Sequence, residues 1–289
     1  MKEFRFTFLT EKDLPVLHQT FLKAFSDYLV PIQLDWPQFT AKLKREGIDP
    51  AFCVAAYAGG EMAGFILTGL GEWQGRPTAY NAGTGVVPQY RGHGLTKWLY
   101  EFMLPKLQQA GVEQCLLEVI KENQPALKIY KDVRFSVTRT LDCFRSPKQE
   151  LLLTAEEPGD VVVSATKRPD WKVYRHFWDV EPTWQNTSAA LSHSPDDKVV
   201  LEARGQENEL LGYIALFTKN GAIAQLAVDR SSRGKGIGTM LLREAAKATE
   251  SPYLMLINID TAGADFLSYL ERRHFVRILM QYEMLRTFV

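Results

Sequence analysis

Two stretches of the sequence carry residue types and spacings suited to holding an anion. Thr84 to Thr96 reads T-G-V-V-P-Q-Y-R-G-H-G-L-T, and Leu226 to Gly238 reads L-A-V-D-R-S-S-R-G-K-G-I-G. In the first, an apolar extended run leads in and Pro88 breaks the strand. Gly92 and Gly94 then allow close backbone approach, and an apolar-periodic segment starts at Leu95. That order is strand, tight loop, helix N-terminus. A helix start offers unpaired N–H groups and the positive end of the helix dipole, which suits phosphate above other anions. Val86 answers Val228 and Arg91 answers Arg233 at one offset of 142 residues, so the chain reads as a tandem repeat. The Walker pattern needs four residues between its glycines and then Gly-Lys-Ser or Gly-Lys-Thr, and neither copy has that. Lys97 and Thr239 stand where a dinucleotide fingerprint needs its third glycine.

Periodicity gives the elements that must position these loops. In the first half, residues 4–8 alternate as a strand, 13–25 and 35–45 read as helices, and Gly59-Gly60 joins strand runs 52–58 and 62–70 as a hairpin. A strand over 79–87 enters the loop. The helix that leaves it keeps spacing to Leu107, with Pro105 predicting a kink or late break. A buried strand over 114–120, a helix capped by Asn123 with Pro125 in its first turn, and β segments over 135–144 follow. The second half replays the plan: strand 161–165, helix 168–178, hairpin 199–203 and 210–217, strand 221–228, helix 237–248, strand 253–259, helix 264–272 and strand 276–285. Two α/β halves result, 1–147 and 161–289, with a Pro- and Gly-bearing linker over 148–160 and a possible short strand at 151–153.

Composition narrows the class. A chain of 289 residues with 46% hydrophobic content can form two cores of ordinary size. The 34 basic and 34 acidic residues cancel, which speaks against a nucleic-acid partner. Cys53, Cys115 and Cys143 are odd in number, far apart and set in apolar strands, and read as buried thiols in a reducing compartment. With no apolar run of membrane-spanning length and no signal-like start, a cytoplasmic location without membrane association is expected. The histidines show no ligand spacing, so no metal is expected.

Val86-x-Pro88-x-Tyr90-Arg91-Gly92-x-Gly94-Leu95, followed by L-L-E-V-I-K-E-N-Q-P-A-L-K-I-Y-K-D-V-R-F, resembles the GCN5-related N-acetyltransferase (GNAT) superfamily, and Arg233 to Gly238 matches its acyl-CoA loop even better. The likeness spans most of each half. It implies two tandem acyl-CoA N-acyltransferase domains, each a mixed central sheet flanked by helices, using acetyl-CoA as co-substrate. In that superfamily the loop N–H groups hold the coenzyme pyrophosphate and the preceding strand holds the pantetheine arm. By position these roles fall to Arg91, Gly92, His93, Gly94, Leu95 and Thr96, with Thr84, Gly85 and Val86 before them. The second copy offers Arg233, Gly234, Lys235, Gly236, Ile237 and Gly238, preceded by Leu226, Ala227 and Val228. One departure stands out: Arg134 and His274 replace the glycine the superfamily often has before Phe135 and Phe275.

Acetyl transfer to an amine needs a base, a polarised thioester carbonyl and a proton for the thiolate. Glu118, Asn123 and Tyr130 have the spacing of the bacterial ribosomal-protein acetyltransferases, a resemblance that makes Glu118 the base, Asn123 a positioning residue and Tyr130 the acid. Taken singly, each has a bland reading: a solvated strand residue, a helix cap and a core tyrosine. Counting back from Phe275 puts Asn258, Gly263 and Leu270 in the second half where these three stand, and Tyr269 is one residue off register. The expectation is therefore a catalytic first half and a degenerate or coenzyme-binding second half, acting on a small-molecule or peptide amine. Catalysis in the second half with Asp260 or the terminal segment supplying groups, a non-catalytic acyl-CoA-binding regulator, and a structural homodimer are the alternatives.

Overall fold

The computed structural model describes residues 3–28, 32–154 and 158–288. Packing divides the chain into two units, Met1–Arg139 with Ser192–Pro195 and Tyr282–Val289, and Thr140–Leu191 with Asp196–Gln281. This cuts the chain differently from the limits read along it, since the last residues of the chain count with the first unit.

The first unit contains β1 (Arg5–Phe8), α1 (Leu14–Ala24), α2 (Trp36–Arg45), β2 (Val54–Ala58), β3 (Glu61–Trp73), β4 (Arg76–Val86), α3 (Leu95–Gln109), β5 (Gln114–Ile120) and α4 (Gln124–Asp132), and then the first residues of β6 (Ser136–Pro147). Strands β1 to β4 pair antiparallel in succession, and β5 joins β4 in parallel, the crossover being α3. Gly59 and Gly60, both at positive φ, turn the β2–β3 hairpin. Helices α3 and α4 cover one face, where Leu99, Met103, Leu107, Cys115, Leu117 and Leu127 share a core. Helices α1 and α2 cover the other with Leu17, Phe21 and Phe39. Pro105 does not end α3, which runs unbroken to Gln109. It lies on the exposed side, as does Glu101 four residues before it, so water can satisfy the carbonyl that loses its partner while the buried side holds the helix.

The second unit repeats the order with β7 (Val162–Ala165), α5 (Trp171–Tyr174), α6 (Ser188–His193), β8 (Lys198–Arg204), β9 (Leu210–Phe217), β10 (Ala222–Val228), α7 (Ile237–Ala248), β11 (Tyr253–Asp260), α8 (Ala264–Arg272) and the start of β12 (Val276–Thr287). The helix expected over 168–178 is only α5 followed by a 3-10 turn at Arg175–Phe177. Asp170 caps its start by accepting from the Lys172 and Val173 N–H groups, and the run W-K-V-Y-R-H-F-W is rich in residues that lose rotamer freedom in a helix. Helix α6 was not anticipated. Residues 151–154 form no strand; Leu151 and Leu153 instead pack on the core of the second unit.

One feature of the sheet prepares each site. In β4 an extra residue, Ala82, sits between the pairs Leu67↔Gly83 and Thr68↔Asn81, and Ala224 does the same in β10 between Ile223 and Gln225. Parallel pairing of β4 with β5 stops at Asn81↔Leu117, and that of β10 with β11 at Ile223↔Leu256, although all four strands continue. A bulge bends its strand and ends a ladder, so each parallel pair opens beyond it.

Candidate active site

Both loops are built alike. A 3-10 turn, Pro88–Tyr90 or Arg230–Ser232, is followed by glycines in the left-handed region, Gly92 (φ 79°) and Gly94 (φ 74°) in one copy, Gly234 (φ 77°) and Gly236 (φ 84°) in the other. Only glycine adopts this conformation without steric cost, and a Cβ at Gly92, Gly94 or Gly234 would meet no atom within 4 Å. The loops therefore need these glycines for backbone shape and present open space in front of it. Gly94 and Gly236 are the N-caps of α3 and α7, so the N–H groups at Leu95–Thr96 and Ile237–Gly238 have no carbonyl a turn earlier to accept them. A pyrophosphate fits such a cradle.

The loop arginines are engaged elsewhere. Arg91 reaches back to the Val86 carbonyl (3.0 Å), the Ala24 carbonyl (2.9 Å) and both oxygens of Asp27 (2.7 and 2.8 Å). Arg233 repeats this with the Val228 and Phe177 carbonyls and Asp179. The hydrogen bond and charge of Arg91 hold the Asp27 carboxyl below its ordinary range. Both guanidiniums thus pin the loop to the preceding strand and the first-helix region, and what Arg91 and Arg233 offer a ligand is backbone. The His93 ring turns inward to the Arg91 carbonyl (2.8 Å), while Lys235 is exposed beside the second cradle. Thr84, Gly85 and Val86 end β4 past its bulge, and Leu226, Ala227 and Val228 end β10 in the same way.

The three catalytic candidates of the first unit lie around the opening of β4 and β5. Strand alternation puts Cys115, Leu117 and Val119 on the α3/α4 face and Glu118 on the opposite one. There Glu118 Oε2 accepts from the Tyr80 hydroxyl at 2.6 Å, while Oε1 is buried with no hydrogen-bond partner. Burial pushes this carboxyl up to about 8, the Tyr80 hydrogen bond opposing the rise, Glu283 and Glu46 adding to it and Arg139 moderating it. The residue as a whole is only partly buried, so the side chain is shielded at its carboxylate rather than along its length.

Tyr130, on α4, sits on the other face in edge-to-face contact with Tyr100 and Phe135. Burial raises its phenol to about 12, with the Thr84 and Asn81 side chains lowering it by hydrogen bonding. It is therefore protonated at neutral pH and aimed at the end of β4. Asn81 gathers this corner, donating to Thr84 Oγ1 (2.8 Å) and Tyr100 Oη (2.5 Å) and accepting from the Gly83 N–H (3.0 Å). Asn123 caps α4 by accepting from the Ala126 N–H at 3.2 Å, and its amide also reaches Tyr28 Oη at 3.5 Å. The opening thus has a carboxylate on one face and a phenol on the other.

The second unit keeps the opening and changes the groups. A cleft of about 990 Å³ runs from Arg233–Thr239 past Leu256 and Asn258 to Trp178 and Tyr213. Asn258 is buried at φ 61°, its Oδ1 accepting from Gln281 Nε2 at 2.7 Å. Gly263 caps α8, and Leu270 is fully buried. Leu242 and Leu270 stand where Tyr100 and Tyr130 stand in the first unit, and both are fully buried. Tyr269 lies over Gly238: a Cβ there would come within 3.0 Å of its hydroxyl. The Tyr269 and Thr239 hydroxyls are neighbours, but neither makes a hydrogen bond of good geometry.

A family model described as Acetyltransferase (GNAT) family matches twice, at residues 14–135 and 163–264. The chain belongs to the acetyltransferase (GNAT) family. The mycothiol acetyltransferase of Saccharomonospora viridis is 32% identical over 121 residues, which is 37% of this chain and 40% of that protein. The one from Thermobifida fusca is 31% identical over 126 residues, covering 41% and 39%. The match thus spans well under half the length of these relatives. Among solved structures, a tandem GNAT protein from the clavulanic acid biosynthesis pathway superposes with a TM-score of 0.73 at 15% identity, covering 99% of this chain and 98% of its own. A GCN5-related N-acetyltransferase from Sphaerobacter thermophilus gives 0.72 at 16% identity, covering 98% and 95%. These likenesses establish a tandem GNAT fold.

Sequence reasoning missed Tyr80, Asn81 and Asp27. Tyr80 lies 38 residues from Glu118, Asn81 lies 19 residues from Tyr100 and 3 from Thr84, and Asp27 lies 64 residues from Arg91. The only available signal was strand parity along β4, which puts Tyr80 on the face of Glu118.

Proposed function

We propose that this GNAT protein transfers an acetyl group from acetyl-CoA to a primary amine, and that the first unit carries the chemistry. The observation that carries this reading is the Glu118 carboxylate: buried, held through one oxygen by Tyr80, with the other oxygen unpartnered and the pKa raised to about 8. A carboxyl of that basicity, in reach of neutral pH, is matched to taking a proton from an ammonium group. When bound, acetyl-CoA supplies the thioester whose carbonyl carbon the amine attacks. Glu118 accepts the amine proton from the α1/α2 face as the C–N bond forms. Tyr130 gives its phenolic proton from the α3/α4 face to the sulfur as the C–S bond breaks. Asn123 and Asn81 position the helix start and the tyrosine corner, and the N–H groups of Gly92–Thr96 cradle the pyrophosphate.

The cleft of the second unit supports a second reading, in which coenzyme binds there and the site either catalyses or only regulates. Asn258 and Leu270 offer no base or acid in place of Glu118 and Tyr130, which favours binding without turnover. The test follows thiol release from acetyl-CoA with a panel of primary amines, for the unaltered protein, Glu118→Gln and Tyr130→Phe. A loss on the order of 10²-fold in turnover for each variant is expected; equal turnover in all three sinks the assignment.

A further inference from the structure

The cleft of the second unit does not end where a thioester would lie. Its lining joins residues of the two cores on opposite sheet faces, Ile237, Leu256 and Phe266 from one, Phe177, Tyr213 and Ala224 from the other. Because β10 and β11 part after Ile223↔Leu256, the cavity passes through the sheet and continues to Trp178, Val180, Pro182 and Asn186.

The polar groups at that far end are spent on one another. Trp178 Nε1 donates to Tyr213 Oη (2.6 Å), Tyr213 donates to Gln225 Oε1 (2.7 Å), and Gln225 Nε2 donates to the Asn186 carbonyl (2.6 Å). The Asn186 amide gives its protons to the Ile257 carbonyl (2.8 Å) and Thr183 Oγ1 (3.2 Å). Tyr213 is stacked on Tyr174 with ring centres 3.9 Å apart, which fixes its plane. The nearby carboxylates are paired, Asp179 with Arg230 and Arg233, and Glu181 with Arg175. A wall whose donors and charges are already satisfied presents ring faces and the aliphatic Val180 and Pro182. Such a wall favours an uncharged apolar group. In the first unit Gly83 and Phe65 take the strand positions of Gln225 and Tyr213, and Glu118 is present.

We propose that the cleft of the second unit binds a coenzyme A thioester with a medium saturated acyl chain, butanoyl to hexanoyl, seated against Trp178 and Tyr213. The inference rests on reading the Gly234–Gly236 loop as a coenzyme cradle, and it is independent of Glu118.

The experiment uses the full chain carrying Gly94→Trp, so that the second loop alone is free, and titrates coenzyme A, acetyl-CoA and hexanoyl-CoA by calorimetry. A fully buried methylene strengthens binding about fourfold, so the four added by hexanoyl, partly buried, should tighten binding at least about tenfold over acetyl-CoA. Trp178→Ala should erase most of that gain while coenzyme A itself binds within about twofold of before. Should Trp178→Ala fail to fold, Val180→Asp tests the same end and should lose the gain likewise. Equal or weaker binding of hexanoyl-CoA overturns the proposal, as does tight hexanoyl-CoA binding that survives Gly236→Trp. Coenzyme A that does not bind at all overturns the cradle reading and this inference together, whereas coenzyme A that binds without a chain-length gain overturns this inference alone.

Discussion

At the scale of residues, Glu118 is a carboxyl that burial makes costly to ionise. Glu118 has a folded pKa of about 8 against an ordinary 4.5, so between those values the folded protein binds a proton that the unfolded chain does not. The sign follows: the contribution of Glu118 to stability is complete below pH 4.5 and is lost as pH rises through about 8. Glu118→Gln removes that penalty, so its unfolding free energy relative to the parent should rise between pH 5 and pH 9, by on the order of 1–3 kcal/mol. Urea melts at the two pH values check this, and a variant equally shifted at both contradicts the buried-carboxyl picture.

Tyr80 acts through Glu118. Its hydrogen bond favours the ionised carboxylate, so Tyr80→Phe should move the acidic limb of the kcat/KM profile upward by roughly 0.5–1 pH unit. A merely structural tyrosine would lower the rate without moving that limb.

At the scale of elements, the loops, the helices behind them and the strand order were legible because each has a local signal: glycine pairs, caps and periodicity. The tandem GNAT architecture read from Val86–Leu95 and Arg233–Gly238 is confirmed. What could not be read was anything set by distant partners. The sequence shows Arg91 and Arg233 in the loops but not that Asp27 and Asp179 hold their guanidiniums, from segments that the linear pattern does not connect to the loop. Pro105 looked like a break and is tolerated because it falls on the exposed side of α3. The short turns over 175–193 lack periodicity altogether, and only burial of Phe177 and Trp184 reveals why they are ordered. Candidate roles for Glu118, Asn123 and Tyr130 came from a resemblance of spacing; what alternation along β5 and the packing of α4 add is that the carboxyl and the phenol approach from opposite faces.

Arg134 and His274 illustrate the same limit. The superfamily glycine is absent, but the left-handed turn is kept, at φ 69° and 64°. A β-carbon in that region costs about 1–2 kcal/mol, partly offset by the entropy that a glycine would lose. Arg134→Gly should therefore stabilise the first unit by about 0.5–1 kcal/mol, read as a higher urea midpoint at unchanged slope; a lower midpoint would show that the arginine side chain contributes more than its backbone costs.

At the scale of the whole molecule, one fold has been used twice with different contents. The first unit has Tyr100, Tyr130 and Asn81 on one face of its opening and the Glu118 carboxyl on the other, while the second has Leu242 and Leu270 in place of the two tyrosines and holds a cleft of about 990 Å³. No described helix is long and apolar enough to cross a membrane, and no cluster of His, Cys, Asp or Glu among the described residues has the grouping of a metal site. These contents are what motivate the proposed division of labour, with chemistry in one unit and coenzyme-thioester binding in the other.

The loops give the most direct test of that division, because a bulky residue at Gly94 or Gly236 blocks one cradle while leaving Glu118 and Tyr130 in place. Initial rates of thiol release from acetyl-CoA with a competent amine should fall by on the order of 10²-fold in Gly94→Trp and stay within about threefold of the parent in Gly236→Trp. Full activity in Gly94→Trp with loss in Gly236→Trp would place the chemistry in the second unit and contradict the account.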